Sequence, residues 1–471
     1  MPKKLIFSLF LITLMFLAGC STSNLNVERG NSYSFRSGHP EIRLSAIGII
    51  TDDDVPLIST STELIFNSLI YKNNENNERV AEVLYEIKVW NTETSALQTF
   101  SDTFDVVYNN NTEAVGLDSY HLERVFQVEP GQYEITVTVT DQNSLKDITL
   151  STRTFIPDPL NPEINLTSIL LLAKDNESLN QRYFPISTYD VPGKMDSLRF
   201  EFQATNNDSR DPIIISARLV RFESDTDPAI PMSIRNFNSA SIQARGVDFR
   251  KEELIASSTR RLSQSGSVYI EFTYPQLERG NYRFEVTTTD NSGDEIQQAR
   301  DFSIKSENYP AITSVKELAT PLVYLMNDRE YKRLMAIEDD AEMKQAIDRF
   351  WLENVSNPNI AREVIQKYYD RVEQANKLFS SFKEGWKTDM GKIYILFGHP
   401  WYVDETLRDM SWAYSYNASD FQTNFFFYQP RQPSKFFPFE HFLLRRNADY
   451  FSVEYRQKSI WLNGQILTEN L

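Results

Sequence analysis

The sequence predicts two all-β sandwiches followed by an α+β domain in which helices pack on a small, mostly antiparallel sheet. Three observations lead there. Between Glu41 and Lys305, segment after segment alternates or runs apolar with β-branched and aromatic side chains, as strands do. A fourteen-residue pattern occurs twice in that region. Near Pro310 the apolar spacing changes from the strand period to the helical one. The expected divisions are 1–19, a signal peptide; 20–40, a flexible tether; 41–157 and 163–306, the two sandwiches; and 310–471, the α+β domain.

The chain opens "MPKKLIFSLFLITLMFLAGC", with basic Lys3 and Lys4, an apolar core from Leu5 to Ala18, and then Gly19-Cys20. That core is shorter than the roughly 20 residues of a spanning helix. Leu17-Ala18-Gly19-Cys20 resembles a bacterial lipobox, which implies acylation of Cys20 and removal of the signal. Cys20 is the only cysteine, so no internal disulfide can form. More than one acyl chain is what stable anchoring requires. The stretch "STSNLNVERGNSYSFRSGHP" is polar and reads as a flexible tether. Twenty such residues extend roughly 65 Å from the bilayer. Ser21, with no acidic residue close behind it, resembles the sorting signal for the outer membrane, facing the periplasm.

The net charge of −17 is uneven. From Pro310 on there are 20 basic and 22 acidic residues, and before it 28 and 43. An acidic front half repels nucleic acid and anionic headgroups.

The strands follow in order: "EIRLSAIGII", "VLYEIKVW", "YEITVTVT", "SLRFEFQAT", "IIISARLVRF" and "YRFEVTTT", separated by turn-rich stretches such as "YKNNENNE" and "NNDSRDP". "VEPGQYEITVTVTD" (128–141) matches "LERGNYRFEVTTTD" (277–290) at seven of fourteen positions. Each is followed by a strand ending Phe-Ile or Phe-Ser-Ile. The pattern resembles the last two strands of immunoglobulin-like or fibronectin-like modules, with "PDPLNP" as a stiff linker between copies.

Beyond Pro310, Met343, Ala346, Ile347, Phe350, Trp351 and Val355 recur at helical spacing, as do Val364, Tyr368, Val372, Ala375, Phe379 and Phe382. Asn357-Pro358 separates the two runs, Asn suiting the cap and Pro the first helical position. "LATPLVYLMNDREYKRLMAI" adds one or two shorter helices. After Gly385, "KIYILFG", "MSWAYSY", "TNFFFYQ" and "DYFSVEYRQ" read as strands, the first apolar on both faces and hence central.

"DRFW" (348–351), the "YYDRVEQANKLF" helix, Gly385-Trp386-Lys387-Thr388-Asp389 and "GKIYILFGHP" together resemble the GWxTD domain of bacterial envelope lipoproteins. The matching motif positions are Gly385, Trp386, Thr388, Asp389, Gly391, Gly398 and Pro400. His399 and Trp401 depart from the family's usual residues around that proline. The resemblance implies an envelope context and no particular reaction.

Read by themselves, these residues form a helix stop, a turn and a buried strand. Gly385 suits a left-handed terminator, and Trp386 an indole clamp over the helix–sheet seam. Thr388 and Asp389 suit turn caps, and Lys392 a partner for Asp389. For catalysis the candidates are His399 and Asp404, which share a loop, since Asp389 and His399 fall at opposite ends of the expected strand. Neither a nucleophile nor a metal-ligand spacing accompanies them, and no cofactor motif occurs.

The expected function is therefore a lipid-anchored envelope scaffold or protein-interaction lipoprotein. Glycan or peptidoglycan binding through the aromatic-rich "WYVDE", "SWAYSY", "FFFYQP" and "KFFPFEHF" is the alternative. "KFFPFEHF" is the best exposed of these, since Pro438 keeps it out of a central strand. A hydrolase using His399 and Asp404 is the third reading.

Overall fold

A computed structural model describes residues 25–31, 34–108, 119–161, 164–175, 182–207, 212–263, 265–289, 295–415, 423–432 and 437–468. The expected signal segment and the expected acylation site, Cys20, lie outside these residues. The fold is mostly β, with helices gathered toward the C-terminus.

The chain enters through β1 (Leu25–Glu28) and then builds β2 (Ile42–Ile50), β3 (Pro56–Ile65), β4 (Lys72–Asn73), β5 (Arg79–Asn91), β6 (Leu97–Tyr108), β7 (Ser119–Gln127), β8 (Gly131–Asp141) and β9 (Lys146–Ile156). Sheet β2-β3-β7 faces a second sheet in which β5 is flanked by β6 and β8, with β9 outside β8. Inward residues of both, including Ile58, Tyr85, Ile87, Val137 and Val139, share one core. The pattern of β8 alternates without a break, Tyr133, Ile135, Val137 and Val139 inside and threonines between, as a half-buried strand should.

The second set is β10 (Asn165–Leu166), β11 (Leu170–Lys174), β12 (Phe184–Pro185), β13 (Asp190–Val191), β14 (Ser197–Asn206), β15 (Ile213–Ser224), helix α1 (Ile242–Arg245), β16 (Val247–Leu262), β17 (Gly266–Pro275), β18 (Gly280–Thr289) and β19 (Glu295–Ile304). Its larger sheet runs β1-β19-β18-β15-β16, and its smaller one has β14 between β17 and β11. Phe200 stacks on Phe284 and lies tilted against Phe302 in the core they share.

The repeated sequence has a repeated bond. The Tyr133 hydroxyl donates to the Glu129 carbonyl at 2.7 Å, and the Tyr282 hydroxyl to the Glu278 carbonyl at 2.8 Å. In both hairpins a tyrosine four residues on pins the strand entry.

The segment expected to be a free tether contributes structure. β1 runs parallel to β19, with Leu25 opposite Gln297 and Glu28 opposite Arg300. Arg29 pairs with Asp301 at 3.3 Å, and the Asn31 amide donates to the Ser187 carbonyl at 2.7 Å. The Asn31 side chain donates to the Leu44 carbonyl at 2.8 Å, and Glu41 meets Lys377 at 2.7 Å. Residues 25–31 and 34–41 hold the chain's entry, as a strap, against all three of its parts. Polar composition hid it because strand pairing uses backbone groups, which composition does not weigh.

The C-terminal part contains α2 (Val315–Ala319), α3 (Asp328–Met335), α4 (Asp340–Asn354), α5 (Pro358–Phe379), α6 (Asp389–Phe397), β20 (Tyr402–Glu405), β21 (Asp409–Ala413), β22 (Asn424–Tyr428), β23 (Leu443–Leu444) and α7 (Tyr450–Leu462). The four strands form an antiparallel sheet in chain order. Asn357 caps α5 by accepting from Asn359 and Ile360, with Pro358 at the first helical position.

Two expected strands are helices. "KIYILF" lies in α6, buried along its whole length, since a helix enclosed by α5, α7 and β23 needs no polar face. A continuous apolar run cannot separate a buried strand from a buried helix. "DYFSVEYRQ" falls in α7, where Tyr450, Val453, Glu454, Gln457, Ile460 and Trp461 are buried at helical spacing.

Candidate functional site

Gly385 opens a 3-10 turn, Gly385–Lys387, after α5 ends. It is absent from the glycines with positive φ, so it is not the left-handed terminator expected. Its requirement is space. A Cβ on Gly385 would collide with the Ala375 carbonyl of α5, and one on Gly391 with the Gly385 carbonyl. The two glycines let three backbone layers stack at contact distance.

Side chains in and around α5 fasten the turn. The Gly385 amide donates to Ser380 Oγ at 2.7 Å, and the Trp386 amide to Asn376 Oδ1 at 3.2 Å. The Tyr324 hydroxyl donates to the Trp386 carbonyl at 2.8 Å, with the two rings edge to face. Trp386 is buried in the C-terminal core. Thr388 caps α6: its hydroxyl accepts from the Gly391 amide at 2.9 Å and donates to the Gly385 carbonyl at 2.8 Å. This cap starts a helix where a strand was expected.

The charges of the segment all find opposite partners outside the turn or across it. Asp389 receives both Arg446 terminal nitrogens, at 2.9 and 2.6 Å, and the Leu444 amide at 2.7 Å. Lys392, expected to pair with Asp389, instead meets Glu454 at 2.8 Å and donates to the Ile230 carbonyl at 3.0 Å. Burial pulls its pKa down to about 8 against the pull of Glu454. Lys383 reaches Asp225 and the Asp227 carbonyl. Glu384 is held by Arg279 and by Lys387 at 2.7 Å. Burial opposes its ionisation, yet Lys387, Arg279 and Lys305 outweigh that and hold its pKa at about 2.

Asp225 and Arg279 belong to the second β set, as do Asn281, which donates to the Phe382 carbonyl at 2.9 Å, and Lys305, which donates to the Ser381 carbonyl at 2.5 Å. Phe382 itself packs with Val220, Phe222 and Val247 of that set. The motif segment is thus a joint between the helical part and the second β set.

A cavity of about 70 Å³ lies beside the joint, lined among others by Asp225, Lys383, Thr388, Asp389 and His441. It has space for a few waters. His441 lies edge-on to Phe382, with its Nε2 3.3 Å from the Gln243 carbonyl. Burial, and next Lys383, pulls its pKa down to about 4. Among the described residues no cluster of acids, histidines and cysteines is arranged to hold a metal.

The catalytic candidates are not brought together. His399 is exposed after α6 with its Nδ1 2.7 Å from the Pro400 carbonyl, while Asp404 stands exposed on β20 opposite Ser411. No hydrogen bond or ion pair joins them among those described. Asp389 is buried at the other end of α6.

Of the aromatics considered for sugar stacking, Trp401 and Tyr402 are exposed and Trp412, Tyr414, Phe425 and Phe427 are buried. "KFFPFEHF" is not the exposed surface expected. Phe437 and Phe439 are half-buried against Phe382, and His441 and Phe442 are buried; its first two residues lie outside the described ones.

Sequence reasoning missed Asp225, Arg279, His441, Arg446 and Glu454. Their partners are distant in the chain, and a lone sequence carries no trace of such pairing. The clue that was available is the density of charge, Lys383, Glu384, Lys387, Asp389 and Lys392, around a buried tryptophan.

No curated protein matches the chain. Three solved structures resemble it weakly. Red sea bream transglutaminase shares 9% identity over 56% of this chain and 31% of that one, with a TM-score of 0.18. Parabacteroides merdae β-glucuronidase shares 8% over 52% and 28%, TM-score 0.18. The Clostridium thermocellum CbhA fibronectin(III)-like modules share 12% over 61% and 94%, TM-score 0.13. The chain thus spans about a third of the length of the first two. Residues 280–463, from β18 through the motif joint to the end of α7, match the family model of the GWxTD domain.

Proposed function

We propose that the chain is a scaffold lipoprotein of the bacterial envelope, acylated at Cys20 and facing the periplasm from the outer membrane. Two immunoglobulin-like modules would carry the GWxTD domain to a protein partner. One observation carries this reading: Lys383, Glu384, Lys387, Asp389 and Lys392 of the motif segment are all engaged in intramolecular ion pairs. Groups so committed hold domains in register, and a rigid multi-domain frame is what a scaffold presents. Cross-linking in intact cells followed by affinity purification tests it. A small set of envelope proteins should recur with the wild-type chain, and Cys20→Ser should leave the membrane fraction. Repeated capture of no defined neighbour would refute the scaffold reading.

Glycan or peptidoglycan binding is the second reading, favoured by the exposure of Trp401 (48%) and Tyr402 (65%), since flat exposed rings stack on sugar faces. Retention on cell-wall sacculi that is lost in Trp401→Ala would favour it over the first. Hydrolysis through His399 and Asp404 has less support, because nothing joins the two side chains.

A further inference from the structure

We infer that the chain stands end-on to a lipid surface, with the β1 end of the second β set toward the bilayer and the GWxTD domain held at the far end. The inference rests on the proposed acylation of Cys20. Only Ser21 to Asn24 separate Cys20 from Leu25, and β1 fixes Leu25 opposite Gln297 near the start of β19. Five Cα steps span about 17 Å at most. The reach of roughly 65 Å expected of a twenty-residue tether is lost to the strap.

β19 then runs away from that point. It passes from Glu295 to Ile304, and Lys305 donates to the Ser381 carbonyl beside the motif. Eight residues from Gln297 to Lys305 at strand rise put this contact about 26 Å beyond the anchor point. The other joints lie at the same far end. Asp225 immediately follows β15, Arg279 immediately precedes β18, and Tyr309, just beyond β19, donates to the Asn376 carbonyl of α5 at 3.0 Å. The near end is made by the opposite termini of these strands: Ile213 of β15 opposite Leu262 of β16, and Thr289 of β18 opposite Glu295 of β19.

A short leash alone would let the body tip onto its side. Charge opposes that: without the signal and its Lys3 and Lys4, the part before Pro310 carries 26 basic and 43 acidic residues, and an anionic lipid surface repels a net-acidic body laid flat more than one standing on its end. The leash sets the height of one end, and repulsion keeps the other away.

The test places a fluorescent amino acid at Ser263, exposed just after β16 at the near end, or at Ser356, exposed before α5 in the far domain. Energy transfer to a headgroup acceptor is read on vesicles of mixed zwitterionic and anionic phospholipid. Two samples are used, the acylated protein from cells and the chain from Cys20 coupled at that residue to a maleimide phospholipid. Transfer from position 263 should exceed that from 356 by at least about twofold, because 356 belongs to the domain joined roughly 26 Å beyond the anchor point. Equal transfer, or more from 356, overturns the inference. Inserting a long Gly/Ser stretch between Asn24 and Leu25 should abolish the difference; a difference that survives it also overturns the inference. If the cell-derived chain fails to bind vesicles, acylation is refuted separately, and the coupled chain still decides the orientation.

Discussion

Asp389→Ala is the sharpest test of the motif as a joint. Its carboxylate and the Arg446 guanidinium are 3% and 1% exposed, joined by two bonds, with the Leu444 amide on the same carboxylate. Truncation leaves a cation buried without a counter-charge and an amide without its acceptor. Breaking such a pair costs about 3–5 kcal/mol. At about 2–4 °C per kcal/mol for a domain of this size, the melting transition should fall by roughly 6–20 °C. Replacing both partners with apolar residues, Asp389→Leu with Arg446→Met, removes the stranded charge. It should recover at least about half of the loss, the remainder reflecting the unpaired Leu444 amide. Thermal unfolding followed by near-ultraviolet circular dichroism reads the loss of aromatic packing, to which Trp386 contributes as one of six tryptophans. If Asp389→Ala melts within about 2 °C of the wild type, or the double variant is no better than the single, the pair does not hold the domain. A loss of cellular function in the same variant would then make Asp389 a binding or reacting group.

Trp386→Ala should cost about 3–5 kcal/mol, read as urea-unfolding midpoint, because the indole is buried in the core that α5 and α6 share. Gly385→Ala drives a Cβ into the Ala375 carbonyl and should cost at least about 3 kcal/mol or abolish soluble expression; a mild effect would mean the stacked backbones can part. Acid should loosen the joint in two steps. His441, held at about 4 against an ordinary 6.5, takes a proton more readily when unfolded, so stability falls as pH drops from about 6.5 to 4. Glu384, held at about 2 against 4.5, contributes stability that is complete above about 4.5 and lost as pH falls toward 2. His441→Phe should flatten only the upper step in acid-unfolding curves. Deleting residues 25–31 should raise hydrogen exchange in β19 between Gln297 and Arg300, where it loses a parallel neighbour; unchanged protection would mean the strap adds nothing.

What could be read from the sequence follows physical range. The long strands were legible because half-burial imposes a two-residue alternation on β5, β8 and β15. α4 and α5 were legible because their buried stripes and the Asn357-Pro358 cap are local signals. α6 was not, since full burial erases periodicity; only the Thr388 cap marks it. α7 was misread because Tyr450, Phe451, Val453 and Tyr455 favour strands by type, while tertiary packing selected the helical set around Trp461. The joint itself was invisible for another reason: Lys383 and Asp225 are 158 positions apart, and charge pairing over that distance leaves no local pattern.

The limits of the GWxTD match follow from the joint. The period change near Pro310 suggests that the domain begins with its helices, yet the match begins at residue 280. β18 and β19 explain the difference. Asn281 binds the Phe382 carbonyl, Lys305 the Ser381 carbonyl, and Tyr309 the Asn376 carbonyl. Two of the acceptors, Ser381 and Phe382, lie between α5 and the motif turn, and the third, Asn376, lies in the last turn of α5. A helical part cut at Pro310 would leave these carbonyls without their donors, and the buried Glu384 with Lys387 alone of its three cations. The hairpin is therefore part of the unit that the motif specifies. A fragment starting at Pro310 should be less soluble and less cooperative in unfolding than one starting before Arg279, although both contain every residue of the named pentapeptide.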